Sequence, residues 1–298
     1  MQALKGSLVA LVTPFTSKGD VDYVALKELV DWHIEEGTNG IVSVGTTGES
    51  ATLTVKEHLK VIEHTVNFVN GRIPVIAGSG SNSTAQAIET TSESKKLGAD
   101  YSLLVTPYYN KPSQQGLIKH FSKIADSVDI PQILYNVPTR TSCDIAPATV
   151  KILSEHENII GIKEAVDNMD RIKELVSIKE AIKSDKEFYI YSGDDPTFLD
   201  AIKLGADGVI SVVANAIPHQ ISLICDYSLN NNLSLADEIN KKYISLYDLC
   251  FIESNPVPIK WILYKLNKIQ NIVRLPLVKL DETFHEKIMS EMVKLELL

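Results

Sequence analysis

Short apolar runs alternate along the chain with longer segments that carry one apolar face, and this alternation is the main organising pattern. Eight runs rich in β-branched residues predict strands, at 7–15, 40–45, 73–80, 101–107, 131–138, 159–165, 187–195 and 208–215. After the first run, roughly the spacing of one helical face is seen in Val24, Leu26, Leu29, Val30 and Ile34. Strands that are apolar throughout, each followed by a helix, predict a parallel sheet covered by helices.

Two of the helical segments end in the same phrase, Leu-Gly-Ala-Asp, at 97–100 and 204–207. A glycine after the last helical turn is a common cap, so these segments carry their own stop signal.

Eight strand–helix units close most naturally into a (β/α)₈ TIM barrel. The alternative is a doubly wound open sheet, but its dinucleotide-binding form needs a third glycine where this chain has Ser83, after Gly78 and Gly80. Beyond residue 216 only helical patterns remain, near 217–230, 234–250, 256–268 and 282–297. The first of these would be the eighth barrel helix. We therefore expect a barrel at 1–230 and a carboxy-terminal helical extension at 231–298 that packs on it.

Composition narrows the classes of partner and of site. A formal net charge of -9, a pI near 5.3 and the lack of a long basic run argue against a nucleic-acid or anionic-membrane surface. Cys143, Cys225 and Cys250 lack CxxC spacing, which is typical of free thiols in a reducing compartment. The histidines form no HExxH motif, so no metal site is predicted. The amino terminus has no cleavage signal and no apolar run reaches about 18 residues, which predicts a cytoplasmic protein without a membrane span.

Active sites of such barrels lie at the carboxyl ends of the strands, where this chain places a consistent set of polar residues. The set is Thr46, Thr47, Glu49, Tyr108, Tyr109, Tyr135, Asn136, Arg140, Lys163, Gly193, Asp194 and Asp195. A neutral lysine amine attacks a ketone to form an imine, hydroxyl groups transfer protons, and an arginine binds a carboxylate. Taken singly, Lys163 could instead form a buried salt bridge, and the others could be turn, core or surface residues. As a set they favour carbonyl chemistry.

Three motifs at these strand ends carry a family resemblance: Gly-Thr-Thr-Gly-Glu-Ser at 45–50, Tyr-Asn-Val-Pro at 135–138 and Gly-Ile-Lys-Glu-Ala at 161–165. With them the chain resembles, over nearly its whole length, the dihydrodipicolinate synthase family of pyruvate-dependent class I aldolases and lyases. The resemblance implies a (β/α)₈ barrel with a carboxy-terminal helical region, assembled as a homotetramer of two tight dimers. It also implies pyruvate and L-aspartate-4-semialdehyde as substrates, with no metal or organic cofactor.

The same resemblance implies roles for single residues. Lys163 would form the Schiff base with pyruvate, and Tyr135 would be the central proton-transfer phenol. Thr47 would link Tyr135 to Tyr109, which would cross the tight-dimer interface into the partner's site. The residues that would bind or line the pyruvate are Thr46, Thr47, Gly193 and Ile210.

Arg140 separates the synthase from relatives that use other acceptors. It matches the arginine that holds the carboxylate of the semialdehyde, whereas N-acetylneuraminate lyases typically lack an arginine there. Two alternatives stay open at this point. A sister aldolase would trap pyruvate on its lysine without turning over the semialdehyde, and a non-catalytic binding barrel would trap nothing.

A regulatory site is also implied, because many family members are inhibited by L-lysine bound at the tight-dimer interface. The matching positions are Ser50, Ala51, His58, Asn82, Gln86 and Tyr108. Gln86 departs from the pattern, since lysine-sensitive enzymes usually have a glutamate there to pair with the ammonium of the effector. Val55 likewise stands where some relatives carry a second histidine. We therefore expect weak inhibition by L-lysine or none.

Overall fold

The computed structural model describes residues 4–182 and 186–298, and its centre is a closed barrel of eight parallel strands in sequence order. The strands are β1 Gly6–Ala10, β2 Gly40–Ser43, β3 Val75–Gly78, β4 Tyr101–Val105, β5 Gln132–Asn136, β6 Ile159–Glu164, β7 Tyr189–Ser192 and β8 Gly208–Ser211. The barrel closes where β1 pairs with β8, from Gly6 opposite Gly208 to Val9 opposite Ser211. The predicted TIM barrel is thereby confirmed.

Helices follow the strands and cover the outside of the barrel. They are α1 Tyr23–Glu35, α2 Val55–Val69, α3 Thr84–Lys96, α4 Gln114–Ser127, α5 Pro138–Thr141, α6 Pro147–Leu153, α7 Met169–Ala181, α8 Phe198–Lys203, α9 Pro218–Leu229, α10 Leu233–Leu249, α11 Val257–Lys265 and α12 His285–Lys294. Short 3₁₀ turns occur at Ser50–Thr52, Val213–Asn215 and Glu282–Phe284.

The ends of several helices follow directly from side-chain chemistry. Asp22 caps α1 by accepting from the backbone N–H groups of residues 24 and 25, and Thr54 forms a reciprocal capping box with Glu57 at the start of α2. Gly98 and Gly205, in the repeated Leu-Gly-Ala-Asp phrase, have φ of +94° and +111°, the left-handed region that favours glycine.

One residue of the predicted α1 face is an exception. Leu26, Leu29 and Val30 are buried as expected, but Val24 is 71% exposed. Val24 lies on the opposite side of α1 from this buried face, because residues two apart are separated by about 200° around a helix, while the neighbouring Ala25 is buried. Its inclusion in the buried face was wrong.

Inside the barrel, alternate strand residues form one buried cluster whose members include Leu8, Val42, Ile76, Leu103, Ile133, Tyr135, Tyr191 and Ile210. Alternation is expected because successive side chains of a strand point to opposite faces. The barrel is therefore a packed core, and the space for chemistry lies at its mouth.

The carboxy-terminal helices pack on the barrel as one continuous apolar body. Tyr247 of α10 and Phe198 of α8 have ring centroids 6.2 Å apart, and Trp261 of α11 is fully buried in the same cluster as residues of β1 and α1. The helical extension is thereby confirmed, while the division of the chain at residue 230 stays a prediction. Within the described ranges, no helix is both long and apolar enough to cross a membrane.

Candidate active site

Lys163 lies near the carboxyl end of β6, between Tyr135 of β5 and Tyr191 of β7 in the sheet register. Its side chain is buried at 5% exposure, and its Nζ lies 4.5 Å from the centroid of the Tyr135 ring. In the part of the chain that the structure describes, no salt bridge joins Lys163 to a carboxylate. A buried amine that faces a phenol ring and has no ion-pair partner is placed for reaction with a carbonyl group.

Gly193, just after β7, has no side chain, and the Lys163 side chain occupies the space beside it. A Cβ built on Gly193 would come within 2.7 Å of Lys163 Cε and 2.9 Å of Ala165 Cβ. The backbone N–H of Gly193 donates to the carbonyl oxygen of Glu164 at 2.7 Å, which fixes the loop beside the lysine. Any side chain at position 193 would therefore push the amine out of place.

The loop after β2 places the two threonines at the mouth of the barrel. Val44 has a φ of 50°, an uncommon conformation for a β-branched residue, and it turns the chain away from the strand direction. The Thr13 hydroxyl donates to the carbonyl oxygen of Gly48 at 2.6 Å and holds the loop against the end of β1. Thr47 is buried, and Thr46 is half-buried.

Arg140 and Tyr109 are both exposed, unlike Lys163 and Tyr135, and the sequence alone did not predict this difference. Arg140 is on the short helix α5 after β5, is exposed, and donates from Nη2 to the carbonyl oxygen of Asn255 at 3.4 Å. Tyr109 is 90% exposed with a φ of 74°, and among the described residues its hydroxyl has no hydrogen bond to Thr47. Lys163 contacts both Tyr135 and Gly193, and buried Ile210 lies in the same barrel cluster as Tyr135, whereas Tyr109 is exposed.

Two buried carboxylates flank the strand ends. Burial raises the pKa of Asp195 to about 6, against the lowering effect of hydrogen bonds from the Ser211 hydroxyl and two backbone N–H groups. Burial likewise raises the pKa of Glu164 to about 7, although Arg171 and Asn136 bind its oxygens. Because Glu164 follows Lys163 in a strand, its side chain points to the opposite face, toward α7.

Sequence reasoning overlooked a second buried lysine and the residues around it. Lys260 of α11 is fully buried, and its Nζ donates to Glu49 Oε1 at 2.6 Å. The ring of Phe15 lies beneath the ammonium, 4.1 Å from centroid to Nζ. Burial lowers the pKa of Lys260 to about 8, opposed by the charge of Glu49. The apolar run Pro-Val-Pro-Ile-Lys-Trp-Ile-Leu was the signal for this residue, and it is the same kind of signal that selected Lys163.

Asn255 was overlooked as well. Its Nδ2 donates to Thr47 Oγ1 at 2.9 Å, so a residue from the helical extension reaches the loop after β2. Nothing in the sequence near 255 marks this contact, because 208 positions separate the two residues.

The six residues of the predicted regulatory set lie on elements around the loops after β2, β3 and β4. Asn82 Nδ2 donates to the carbonyl oxygen of Tyr108 at 3.2 Å, and His58 Nε2 lies 2.8 Å from the carbonyl oxygen of Gly78. The Gln86 amide donates to Thr90 Oγ1 at 3.2 Å along α3. Ser50 and Ala51 form the 3₁₀ turn at Ser50–Thr52. Asn82 and Tyr108 are thus in direct contact.

The three cysteines are buried free thiols. Across residues 4–182 and 186–298, no group of three or more His, Cys, Asp or Glu side chains is arranged to hold a metal ion.

The comparisons with known proteins agree with this geometry. The model of the dihydrodipicolinate synthetase family matches residues 3–295. The chain belongs to this family. A 4-hydroxy-tetrahydrodipicolinate synthase of Pseudomonas savastanoi pv. phaseolicola is 53% identical over 283 residues, which cover 95% of each chain. The resemblance inferred from the three motifs is thereby confirmed.

Solved structures of family members superpose closely on the chain. The chloride-inhibited dihydrodipicolinate synthase from Acinetobacter baumannii, complexed with pyruvate, has a TM-score of 0.95 at 45% identity, covering 99% of this chain and 100% of that one. The enzyme from Cyanidioschyzon merolae with lysine bound has a TM-score of 0.94 at 37% identity, covering 99% of each chain.

Proposed function

We propose that this protein is a 4-hydroxy-tetrahydrodipicolinate synthase, which condenses pyruvate with L-aspartate-4-semialdehyde in lysine and diaminopimelate biosynthesis. Membership of the family and the synthase name of a relative 53% identical over nearly the full chain support the assignment. A pyruvate complex of a protein with the same fold at 45% identity supports pyruvate as the first substrate.

The observation that carries the proposal is the state of Lys163. It is buried and lies over the Tyr135 ring, and no carboxylate forms a salt bridge with it among the described residues. A lysine buried for a structural role would need such a partner, as Lys260 of α11 has in Glu49. Lys163 is therefore available as a nucleophile.

The reaction begins when the neutral Lys163 amine attacks the ketone of pyruvate and water leaves, giving an imine. Loss of a proton from the pyruvate methyl group gives an enamine, whose carbon forms a bond to the aldehyde carbon of the semialdehyde. Cyclisation and release of the lysine give 4-hydroxy-tetrahydrodipicolinate. Tyr135 lies against the Lys163 amine and serves as the proton-transfer phenol, with Thr47 as the hydroxyl next to it in the relay.

The remaining site residues bind the substrates. Hydroxyl and backbone N–H donors of Thr46 and Thr47 bind the pyruvate carboxylate, and Gly193 and Ile210 line the space around it. Arg140, exposed at the mouth, binds the carboxylate of the incoming semialdehyde. No metal or organic cofactor takes part in these steps, because the imine itself stabilises the developing carbanion.

The site is completed by a second chain. Tyr109 is exposed on its own chain, and its positive φ turns it away from the strand that precedes it. In a homotetramer of two tight dimers, this phenol enters the partner's site and accepts a hydrogen bond from Thr47 or donates one to it.

A coupled assay tests the proposal: pyruvate and aspartate semialdehyde are supplied with dihydrodipicolinate reductase, and consumption of its reduced nicotinamide cofactor is followed. We expect turnover, and we expect pyruvate with borohydride to add one reduced adduct per chain on the peptide that contains Lys163. Lys163→Arg should abolish both, because an arginine is always protonated and cannot attack. Lys119→Arg, at an exposed position of α4, is the matched control.

The two remaining readings give different results. Trapping without turnover of the semialdehyde would identify a sister aldolase with another acceptor. A chain that neither traps pyruvate nor turns over substrate would be a binding protein.

A further inference from the structure

Asn255 is a buried residue that joins the helical extension to the loop carrying Thr47. It lies two positions before α11, and its Nδ2 donates to Thr47 Oγ1 at 2.9 Å. Its Oδ1 is buried as well and has no hydrogen-bonding partner within the described ranges. The amide side chain is therefore held in the site by its one bond to Thr47.

The direction of that bond decides what the threonine can do. A hydroxyl group has one hydrogen to donate and two lone pairs that accept. The amide nitrogen can only donate, so it occupies one lone pair of Thr47 and leaves one donor and one acceptor free. One acceptor and one donor are what a hydroxyl needs to take a proton from one phenol and pass its own to another.

The opposite direction would end the relay. If the neighbour of Thr47 were an acceptor, the hydroxyl hydrogen would be used in that bond, and Thr47 would have only lone pairs left for the two phenols. It could then accept from either phenol but donate to neither. The identity of the group at position 255 thus sets the direction of the Thr47 hydroxyl.

We propose that Asn255 is a positioning residue that orients the Thr47 O–H for proton transfer between Tyr135 and the Tyr109 phenol of the partner subunit. The inference rests on the proposed function, in which Thr47 links these two phenols. Asn255 does not touch the reacting atoms, and its effect passes through Thr47.

The structure holds both ends of this contact in place. The Glu49–Lys260 ion pair connects the loop after β2 to α11, so it spans the same interface as the Asn255–Thr47 bond. The backbone carbonyl of Asn255 accepts from Arg140 Nη2 at 3.4 Å, and this group is present whatever the side chain at 255. Substitution at 255 therefore changes the amide and leaves the ion pair and the carbonyl contact available.

The test replaces Asn255 by aspartate, which has the same shape but accepts where the amide donates. At pH 8 we expect kcat to fall roughly 100-fold, the lower end of the range for a lost proton transfer, while pyruvate trapping on Lys163 stays complete. As the pH is lowered, the new carboxyl becomes protonated and can donate again, so the ratio of variant to wild-type kcat should rise. If Asn255 acts through Thr47, this rise should disappear in a Thr47→Val background, whereas a purely structural cost of the buried carboxylate would still give it.

A double-mutant comparison shows whether the effect passes through Thr47. In a Thr47→Val background, adding Asn255→Asp should change the rate by less than about threefold, because the hydroxyl to be turned is gone. Asn255→Leu removes the donor without adding charge, and should lower kcat by about tenfold with Thr47 present and have little effect in the Thr47→Val background. Asn67→Asp, at an exposed position of α2, is the control for an added carboxylate.

Exchange of the pyruvate methyl hydrogens in D₂O provides a readout that needs no second substrate. If wild type exchanges but does not turn over the semialdehyde, the proposed function fails and the relay is still measured by exchange. The inference is overturned if Asn255→Asp keeps the wild-type rate at pH 8. It is also overturned if the substitution lowers the rate by the same factor with and without the Thr47 hydroxyl. Wild type that neither exchanges nor turns over substrate overturns both.

Discussion

Arg140 is the residue that we expect to separate the choice of substrate from the mechanism. It is exposed on α5, whereas Lys163, on which we propose that the imine forms, is buried in β6. Arg140→Ala should therefore weaken use of the semialdehyde and leave pyruvate trapping intact. Loss of a charge-assisted bidentate contact should cost about 2 to 3 kcal/mol of transition-state stabilisation, which is measured as a lower kcat/KM for the semialdehyde.

Arg140→Lys is the informative companion variant, because it keeps the charge but not the planar guanidinium. Its kcat/KM for the semialdehyde should lie between those of wild type and Arg140→Ala. Steady-state kinetics with each substrate varied in turn make the measurement. Unchanged kinetics for the semialdehyde would move the assignment toward a sister aldolase.

At the scale of elements, a buried ion pair ties the loop after β2 to α11. Glu49 and Lys260 are both fully buried as side chains, 2.6 Å apart. Lys260→Met should lower the free energy of unfolding by about 3 to 5 kcal/mol, because it leaves the Glu49 carboxylate buried without its partner. Glu49→Gln combined with Lys260→Met should regain part of this loss, since no unpaired charge then remains.

Urea unfolding followed by circular dichroism gives these free energies. Lys294→Met removes an exposed lysine from its pair with the half-buried Glu291 and is the matched control, with a change of about 1 kcal/mol or less. A loss for Lys260→Met no larger than that of the control would show that the pair does not hold the loop.

The predicted regulatory site is also an arrangement of elements, drawn from the turn at Ser50–Thr52, from α2 and α3, and from the loops after β3 and β4. At its centre we place Gln86, whose amide donates to Thr90 instead of presenting a carboxylate. An amide that replaces a glutamate loses charge assistance worth about 1 to 2 kcal/mol, or roughly tenfold in affinity for the ammonium of L-lysine. We expect weak inhibition of wild type or none.

Titration of L-lysine against Gln86→Glu should show inhibition at roughly tenfold lower concentration than in wild type. Gln115→Glu, at an exposed position of α4, tests whether added negative charge alone has an effect. Tight inhibition of wild type would contradict this account of Gln86.

For the whole molecule, the proposed role of Tyr109, which is exposed on its own chain, predicts that activity depends on assembly. Tyr109→Phe chains mixed with Lys163→Ala chains should recover activity, because one site of each mixed dimer then has an intact lysine and receives an intact tyrosine. Random pairing makes half of the dimers mixed, so recovery should approach roughly a quarter of wild-type activity.

The control mixes Tyr109→Phe chains with chains that carry both substitutions, and there no site regains both groups. Subunit exchange is checked by mass spectrometry of the native dimers. Exchange without recovery would place Tyr109 in the site of its own chain.

Global stability should depend on pH through His33, which is buried in α1 with Nδ1 3.0 Å from Thr38 Oγ1. Burial, and to a smaller extent Lys268, lowers the pKa of His33 from 6.5 to about 3. The unfolded chain therefore binds a proton below about pH 6.5 that the folded chain does not bind until about pH 3. The contribution of His33 to the free energy of unfolding should therefore fall by about 2 kcal/mol between pH 7 and pH 5. The raised pKa values of Glu164 and Asp195 act in the opposite direction over the same window, so this contribution is seen in the difference between wild type and a His33 variant.

Urea unfolding at pH 5, 6 and 7 measures this slope. Relative to wild type, His33→Asn should be more stable at pH 5 than at pH 7 by about that amount, whatever its effect at pH 7, and His219→Asn at an exposed position should show no such difference. An unchanged slope in His33→Asn would show that this histidine is not the group responsible.

The end of β1 shows where prediction from the sequence stops. Residues 7–15 were predicted as one strand, but the strand is Gly6–Ala10. Leu11, Val12 and Phe15 are buried all the same, because the loops at the mouth pack beneath the helical extension. An apolar run reports burial, and burial does not distinguish a strand from a covered loop.

The two buried lysines show the same limit at the level of function. Lys163 and Lys260 both stand in apolar runs, and pattern alone treats them alike. Lys260 meets the carboxylate of Glu49, 211 positions away, while Lys163 lies against a tyrosine ring. Only the motif around Lys163, through its resemblance to a family, distinguished the two before the structure did.

By itself the sequence determined the barrel, its helical extension and the set of polar residues at the strand ends. It could do so because burial on a parallel sheet imposes apolar runs of regular spacing, and because functional groups follow those runs directly along the chain. The tertiary structure alone decided which buried lysine is paired, that Asn255 reaches Thr47, and that Tyr109 is exposed on its own chain. These are contacts between segments distant in the chain, and no local pattern of apolar and polar residues encodes them.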